Sequence, residues 1–124
     1  MKYSLLLLGL LSCQDYNSNS SDRIKFGPIT IDDGVDPNLK SAYAIIQNRC
    51  VNCHSSTIHN VWSTYTSNEL WLTSGVVNRG DPNNSSLILR IINSGQASSN
   101  MPQGGSALSA SEYNALVKWV TEIP

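Results

Sequence analysis

The sequence carries little charge, since only 14% of its 124 residues are Asp, Glu, Lys or Arg where about 25% is usual. Eight basic and nine acidic residues leave a formal net charge of -1, and no Lys/Arg cluster stands out. Because binding to nucleic acid needs basic residues that neutralise phosphates, we expect no nucleic-acid partner. No apolar run approaches the roughly 20 residues that cross a bilayer.

Histidine, methionine and cysteine are also scarce, with two, two and three residues in the chain. Three cysteines are too few for a disulfide framework and odd in number, so each thiol needs its own explanation. With two histidines and nine acidic residues, no Ser/His/Asp or paired-carboxylate arrangement stands out. We therefore expect that the protein is not an enzyme.

Residues 1–13 have the order of an export signal. Lys2 supplies a positive charge, the stretch Leu5–Leu11 is almost entirely leucine, and the small residue Ser12 precedes Cys13. This arrangement resembles the lipobox of bacterial lipoproteins, which are cleaved before a cysteine that carries lipid. The resemblance implies a lipid on Cys13 and an exported protein anchored to a membrane on its periplasmic side. An ordinary secretory signal in which Cys13 is incidental is the alternative.

With residues 1–12 assigned to the signal peptide, residues 13–35 are predicted to form the lipidated cysteine and a flexible tether. The segment that follows Cys13 is rich in Asn and Ser and has too few apolar side chains to form a core. We expect it to lift a folded domain off the membrane surface. That domain covers residues 36–124.

A first helix is predicted from Asp36 to Cys50. Asp36 is a suitable N-cap, and Pro37 suits the first helical position. Apolar side chains then recur with the spacing of one helix face, at Leu39, Ala42, Tyr43 and Ile46.

A C-terminal helix is predicted behind Ser109 and Glu112, which have capping-box spacing. Its apolar stripe comprises Tyr113, Leu116, Val117 and Val120. A middle helix is expected over residues 85–93, with Gly95 as its stop. Its apolar face comprises Leu87, Ile88, Ile91 and Ile92.

The fold class is therefore all-α, with three main helices, long loops and a helical turn around residues 68–72. A domain of this size buries only about 60–65% of the surface of its unfolded chain. We expect a cofactor, rather than side chains alone, to fill the centre.

The sequence Cys50-Val51-Asn52-Cys53-His54 has the C-x-x-C-H pattern of a haem c attachment site. Two thiols three residues apart on a helical turn can each add to one vinyl group at the edge of the porphyrin. The adjacent imidazole then binds the iron from the proximal side. The motif predicts one covalent haem c at Cys50 and Cys53, with His54 as an axial ligand.

Three other interpretations of the motif remain open. A thioredoxin-like pair would lie in a βαβ context, whereas this motif closes a predicted helix. A disulfide between Cys50 and Cys53 would close a very short loop. A zinc-binding site of Cys50, Cys53, His54 and His59 has suitable ligand types, although a second distant ligand pair is missing.

Met101 is the predicted second axial ligand. It is the only methionine besides the initiator, and it lies in a Pro/Gly loop rather than on a helix face, where methionine usually fills a core. His59 is the rival ligand, but its short tether to the motif makes the opposite face of the ring hard to reach. A bis-histidine arrangement stays open.

From residue 36 to residue 124 the sequence resembles the class I monohaem cytochrome c family, particularly compact bacterial domains of exported, lipid-anchored proteins. That family has a helix running into C-x-x-C-H, a middle helix after a Gly-Asp-Pro-like turn, a methionine loop and an aromatic C-terminal helix. The corresponding parts here are the first helix and motif, the helix after Gly80-Asp81-Pro82, the loop of Met101 and residues 113–120.

The resemblance implies a cytochrome c fold and a single-electron carrier that serves redox protein partners. One departure is that no Pro lies between His54 and Pro82, so the acceptor for the His54 Nδ1–H is unassigned; carbonyls of residues 58–61 are candidates. Arg79 and Arg90 are candidate partners of the haem propionates. If the methionine leaves the iron, the alternative is a haem-based gas sensor or a peroxidase-like protein.

Overall fold

The computed structural model describes residues 36–55, 61–97 and 99–124. The predicted signal peptide, Cys13, the tether and His59 lie outside these ranges. Within them the chain forms four α-helices and no strand, which confirms the all-α class. The helices are α1 (Pro37–Arg49), α2 (Asn68–Thr73), α3 (Ser86–Arg90) and α4 (Ala110–Glu122). None of the four is both long and apolar enough to cross a membrane.

Helix α1 forms where its cap and its apolar stripe predict it. The Asp36 side chain accepts a hydrogen bond of 2.9 Å from the backbone N–H of Asn38, and Pro37 is the first helical residue. The buried residues of the helix are the predicted stripe, namely Leu39, Ala42, Tyr43 and Ile46. The cap and the stripe therefore fix both the start of α1 and the face that it buries.

Helix α4 begins with the predicted capping box. The Ser109 hydroxyl accepts from the backbone N–H of Glu112, and the Glu112 carboxylate accepts from the backbone N–H of Ser109. The buried side chains are Leu116, Trp119 and Val120. Tyr113 and Val117 are only half-buried, so the face that packs against α1 is rotated toward Trp119 relative to the predicted stripe.

Three tryptophans form the middle of a continuous hydrophobic core. Trp71 packs edge-on against Trp62 and against Trp119, with ring centroids 5.5 Å apart in each pair. Tyr65 makes a further edge contact with Trp71 at 4.9 Å. In the described part of the chain, large side chains thus occupy the space between the helices that we expected a cofactor to fill.

The middle helix is shorter than the sequence predicts, because α3 ends at Arg90. Ile91 adopts an extended conformation and forms an isolated parallel bridge with Met101. The backbone N–H of Ile92, which a longer helix would direct to Ile88, donates instead to the carbonyl of Met101 at 2.9 Å. Pairing with the Met101 segment therefore replaces the last turn of the predicted helix. Ile92, expected on the buried face, is 41% exposed.

The loop between α1 and α3 contains the short helix α2, which agrees with the helical turn expected around residues 68–72. Ser67 caps it by accepting from the backbone N–H of Leu70. Asn68 also bridges two other elements. It donates to the Asp36 carboxylate at 3.0 Å and accepts from the Trp119 indole at 2.8 Å. These bonds hold α2 against the start of α1 and the end of α4.

Candidate functional site

The C-x-x-C-H motif lies on a helical turn that continues directly from α1. The backbone N–H of Cys50 donates to the carbonyl of Ile46 at 2.9 Å, and the N–H of His54 donates to the carbonyl of Cys50 at 3.0 Å. The N–H of Cys53 donates to the same carbonyl at 3.2 Å. The two cysteines and the histidine are therefore displayed on one ordered turn, as covalent attachment of a porphyrin edge requires.

Cys50 is a half-buried thiol rather than an activated nucleophile. Its side chain packs against the hydrophobic core, and burial raises its pKa from 9.0 to about 12. The smaller effects of Arg49, which lowers the pKa, and of Glu112, which raises it, do not offset that burial. A thioredoxin-like cysteine has a lowered pKa, so the thiol chemistry of Cys50 does not favour that interpretation.

The two cysteines of the motif are not bonded to each other. Cys50 is a free thiol, whereas Cys53 takes part in a disulfide. The short-loop disulfide between Cys50 and Cys53 that we considered from the sequence is therefore wrong for this structure. Nor does the described part of the chain contain a group of three or more His, Cys, Asp or Glu side chains placed to hold a metal ion.

His54 stacks on Trp62, which sequence analysis did not identify as part of the site. The two ring centroids lie 3.6 Å apart and the ring planes differ by 13°. The backbone N–H of Trp62 donates to the carbonyl of His54 at 3.0 Å and so closes the intervening loop. An imidazole binds a metal through a nitrogen lone pair in the plane of its ring, so stacking on one face leaves that direction of binding open.

Met101 is half-buried and is held by its backbone against the end of α3. Its N–H donates to the carbonyl of Arg90 at 2.9 Å, and its carbonyl accepts from the N–H of Ile92 at 2.9 Å. The neighbouring N–H of Asn100 also donates to the carbonyl of Arg90. The predicted methionine loop is thus attached to the end of α3 at Met101 itself.

The other end of the Met101 loop is attached to α1. The Arg49 guanidinium donates to the carbonyls of Ser106 at 2.9 Å and Ala107 at 3.1 Å. The Asn93 side chain donates to the carbonyl of Leu108 at 2.7 Å. Since Arg49 directly precedes Cys50, these bonds connect the loop of the predicted sixth ligand to the helix that leads into the motif.

Four buried nitrogen atoms have no hydrogen-bond partner within the described ranges: Gln47 Nε2, Arg49 Nε, Trp62 Nε1 and Trp71 Nε1. All four are N–H donors. A buried donor without an acceptor costs about 1–3 kcal/mol, so such a set favours a ligand that brings acceptor oxygens. Trp62 packs on both His54 and Trp71, and Gln47 lies one helical turn before Cys50. Gln47, Arg49 and Trp62 therefore lie next to the motif along the chain or by ring contact, whereas Trp71 is linked to it only through Trp62.

In a haem the vinyl groups and the propionates lie on opposite edges of the porphyrin, so donors beside the cysteines are not placed to bind the propionates. The fit of the residues to a haem therefore rests on the turn of Cys50, Cys53 and His54, which offers two sulfur atoms and an imidazole. Of the two arginines proposed from the sequence, Arg79 donates to the carbonyl of Pro124 at the end of the chain, and Arg90 has an exposed side chain.

Sequence analysis missed Trp62 and Gln47 as members of this region. Trp62 follows a loop with no periodic pattern, and only the folded loop brings its ring onto His54. Gln47 lies beside the predicted apolar stripe of α1, where an amide is usually solvated. Comparison of the chain with protein-family models, with curated proteins and with solved structures finds no match.

Proposed function

We propose that the protein is a single-electron carrier with one covalently bound haem c. Cys50 and Cys53 would hold the haem covalently, and His54 and Met101 would ligate its iron. The observation that carries the proposal is the helical turn at the end of α1, which displays the two cysteines and His54 together. When bound, the haem supplies an iron that changes charge by one electron.

The protein's own residues hold each of the proposed ligands in place. Trp62 orients the His54 ring by stacking on it, and the bond between their backbones fixes the spacing. Hydrogen bonds to Arg90 and from Arg49 hold the two ends of the Met101 segment. Ligation by a thioether and an imidazole would raise the reduction potential relative to two imidazoles. Two protein ligands would leave no position for a substrate, which suits a carrier rather than an enzyme.

Covalent attachment of a haem would require Cys50 and Cys53 as thiols. Cys50 is a free thiol, and its raised pKa keeps the proton on sulfur at neutral pH. A disulfide and a thioether at the sulfur of Cys53 exclude each other, and a lipid on Cys13 likewise requires that sulfur to be outside any disulfide. The proposal therefore concerns the protein without this disulfide.

We also propose that the domain works in the exported compartment, tethered by lipid on Cys13 to a membrane. The support is the order of Lys2, the leucine stretch and Cys13 in the sequence. Stable anchoring takes more than one acyl chain. A Cys13→Ala variant should leave the membrane fraction and appear in the soluble exported fraction. Wild-type protein that is already soluble would contradict the anchor and leave the electron-carrier proposal standing.

Expression in a host with haem-attachment machinery tests the proposal. The wild type should be red, keep its haem through denaturing extraction and have a mass raised by one haem. A double variant, Cys50→Ala with Cys53→Ala, should lose the haem in the same extraction. Cys13→Ala is the matched cysteine control, and it should keep the haem. Folded wild-type protein without colour would contradict the proposal and favour a zinc-binding Cys/His module.

A further inference from the structure

We propose that Arg49 is a positioning residue for Met101, because it fixes the far end of the loop that carries this methionine. The inference rests on the proposed function, in which Met101 is an axial ligand. The Arg49 contacts that support this inference involve no predicted iron ligand and no cysteine thiol. Arg49 acts instead through the backbone of the loop.

The guanidinium holds the loop at two consecutive peptide groups. Its Nη2 atom donates to the Ser106 carbonyl at 2.9 Å and to the Ala107 carbonyl at 3.1 Å, and it lies 3.2 Å from the Ser106 hydroxyl. The Met101 end of the loop has separate backbone bonds to α3. Between the two attachments the Gly105 N–H donates to the Pro102 carbonyl at 3.3 Å and closes one turn, and Gly104 and Gly105 have no side chains with which to pack against the rest of the protein. Its conformation therefore depends on both ends being held.

The position of Arg49 is itself fixed from two directions. Its backbone belongs to the last turn of α1, and its Nε faces a Glu112 carboxylate oxygen across 4.0 Å, beyond hydrogen-bond distance. The other Glu112 oxygen accepts from the backbone N–H of Ser109 at the start of α4. One side chain thus joins the end of α1, the loop and the start of α4. The bonds to the loop all come from Nη2, while Nε is directed toward Glu112, a spacing of two nitrogen atoms that lysine lacks.

The test is displacement of the methionine by added imidazole in oxidised, haem-loaded protein. Imidazole bleaches the weak long-wavelength charge-transfer band typical of methionine-bound ferric haem. Loss of the two carbonyl bonds in Arg49→Gln should raise the apparent imidazole affinity by about tenfold, because the loop that carries the methionine is then held less firmly. Arg49→Lys keeps the charge and should give an intermediate value. Arg79→Gln removes an arginine that contacts the chain end and should match the wild type.

Thermal unfolding of the same proteins separates positioning from general stability. If Arg49→Gln lowers the midpoint of unfolding while its imidazole affinity equals that of the wild type, Arg49 is structural only and the inference is overturned. If the wild type carries haem but lacks the methionine band, both Met101 ligation and the role of Arg49 are overturned. If Arg49→Gln does not accumulate as folded protein, Arg49→Lys decides, and a wild-type affinity there contradicts the inference.

Discussion

Cys50 packs against the core at the point where α1 ends, and its side chain is partly shielded from water. A helical turn extends beyond it. Burial disfavours the thiolate more than the nearby Arg49 charge favours it, so the pKa of Cys50 is raised to about 12. A thiol with this pKa is protonated at neutral pH and is a slow nucleophile. The environment of Cys50 therefore suits a structural or covalently occupied sulfur.

We predict that Cys50 in the haem-free protein reacts slowly with iodoacetamide. Because only the thiolate reacts, the rate should rise about tenfold per pH unit up to about pH 11, past the ordinary thiol pKa of 9.0. Mass spectrometry of the peptide that contains Cys50 follows the reaction, with a short unfolded peptide of the same sequence as control. A plateau at or below pH 9 in the folded protein would contradict burial of this thiol.

At Met101 the prediction concerns the sixth ligand. Replacing Met101 by Ala removes the thioether sulfur, so the oxidised, haem-loaded protein should lose its long-wavelength charge-transfer band. Gln103→Ala alters an exposed side chain of the same loop and should keep the band. Visible absorption spectra of the three proteins give the answer. An unchanged band in Met101→Ala would exclude this ligand and point to His59.

Among the elements, α1 and α4 were predictable because each begins with a cap and continues with an apolar stripe of helical period. Those are local signals, and the structure reproduces Asp36, Ser109 and Glu112 in their capping roles. The end of α3 was not predictable, because the bridge between Ile91 and Met101 is a pairing that apolar spacing does not encode. The cysteine motif was predictable from its spacing in the sequence. The stacking of Trp62 on His54 was not, because it depends on the path of a loop.

The capping box of α4 makes stability depend on pH. The hydrogen bond from the Ser109 backbone N–H lowers the pKa of Glu112 below its ordinary 4.5, and Arg49 acts in the same direction. A carboxylate with a lowered folded-state pKa stabilises the protein above its unfolded pKa, and this stabilisation is lost as the pH falls through the folded value.

We therefore predict that the free energy of unfolding falls less between neutral pH and acid in Glu112→Gln than in the wild type. Gln can still accept from the Ser109 N–H, so the box is kept while its charge is removed. The measurement is urea unfolding of both proteins at neutral pH and at about pH 3. Glu69→Gln, which alters an exposed carboxylate in α2, is the control. Equal losses in wild type and Glu112→Gln would contradict this account of the capping box.

Packing of α4 on α1 supplies a fourth prediction. Leu116 is completely buried in α4, and Leu70 is 44% exposed in α2. Leu116→Ala should lower the free energy of unfolding by about 2–5 kcal/mol, because it removes buried contacts and leaves a cavity. Leu70→Ala should change it by no more than about 1 kcal/mol. Urea unfolding measures both, and similar losses would contradict the assignment of the core.

Across the whole molecule, the described residues combine a side-chain core with a site at its edge. The core of Trp62, Trp71 and Trp119 is contiguous, and the first of these tryptophans also contacts His54. The formal net charge is -1, and the sequence has no Lys/Arg cluster. If the proposed redox partners exist, we therefore expect their encounters with this protein to change little with ionic strength.

The central proposal is electron transfer by a haem iron with two protein ligands. Its most direct test is to measure the midpoint potential of the haem-loaded protein by redox titration, once under argon and once under carbon monoxide. Carbon monoxide binds only reduced iron that has an open position, and such binding raises the apparent midpoint potential. The account predicts a reversible one-electron curve with the same midpoint under both gases. A higher midpoint under carbon monoxide would contradict it and support a gas sensor or a peroxidase-like protein.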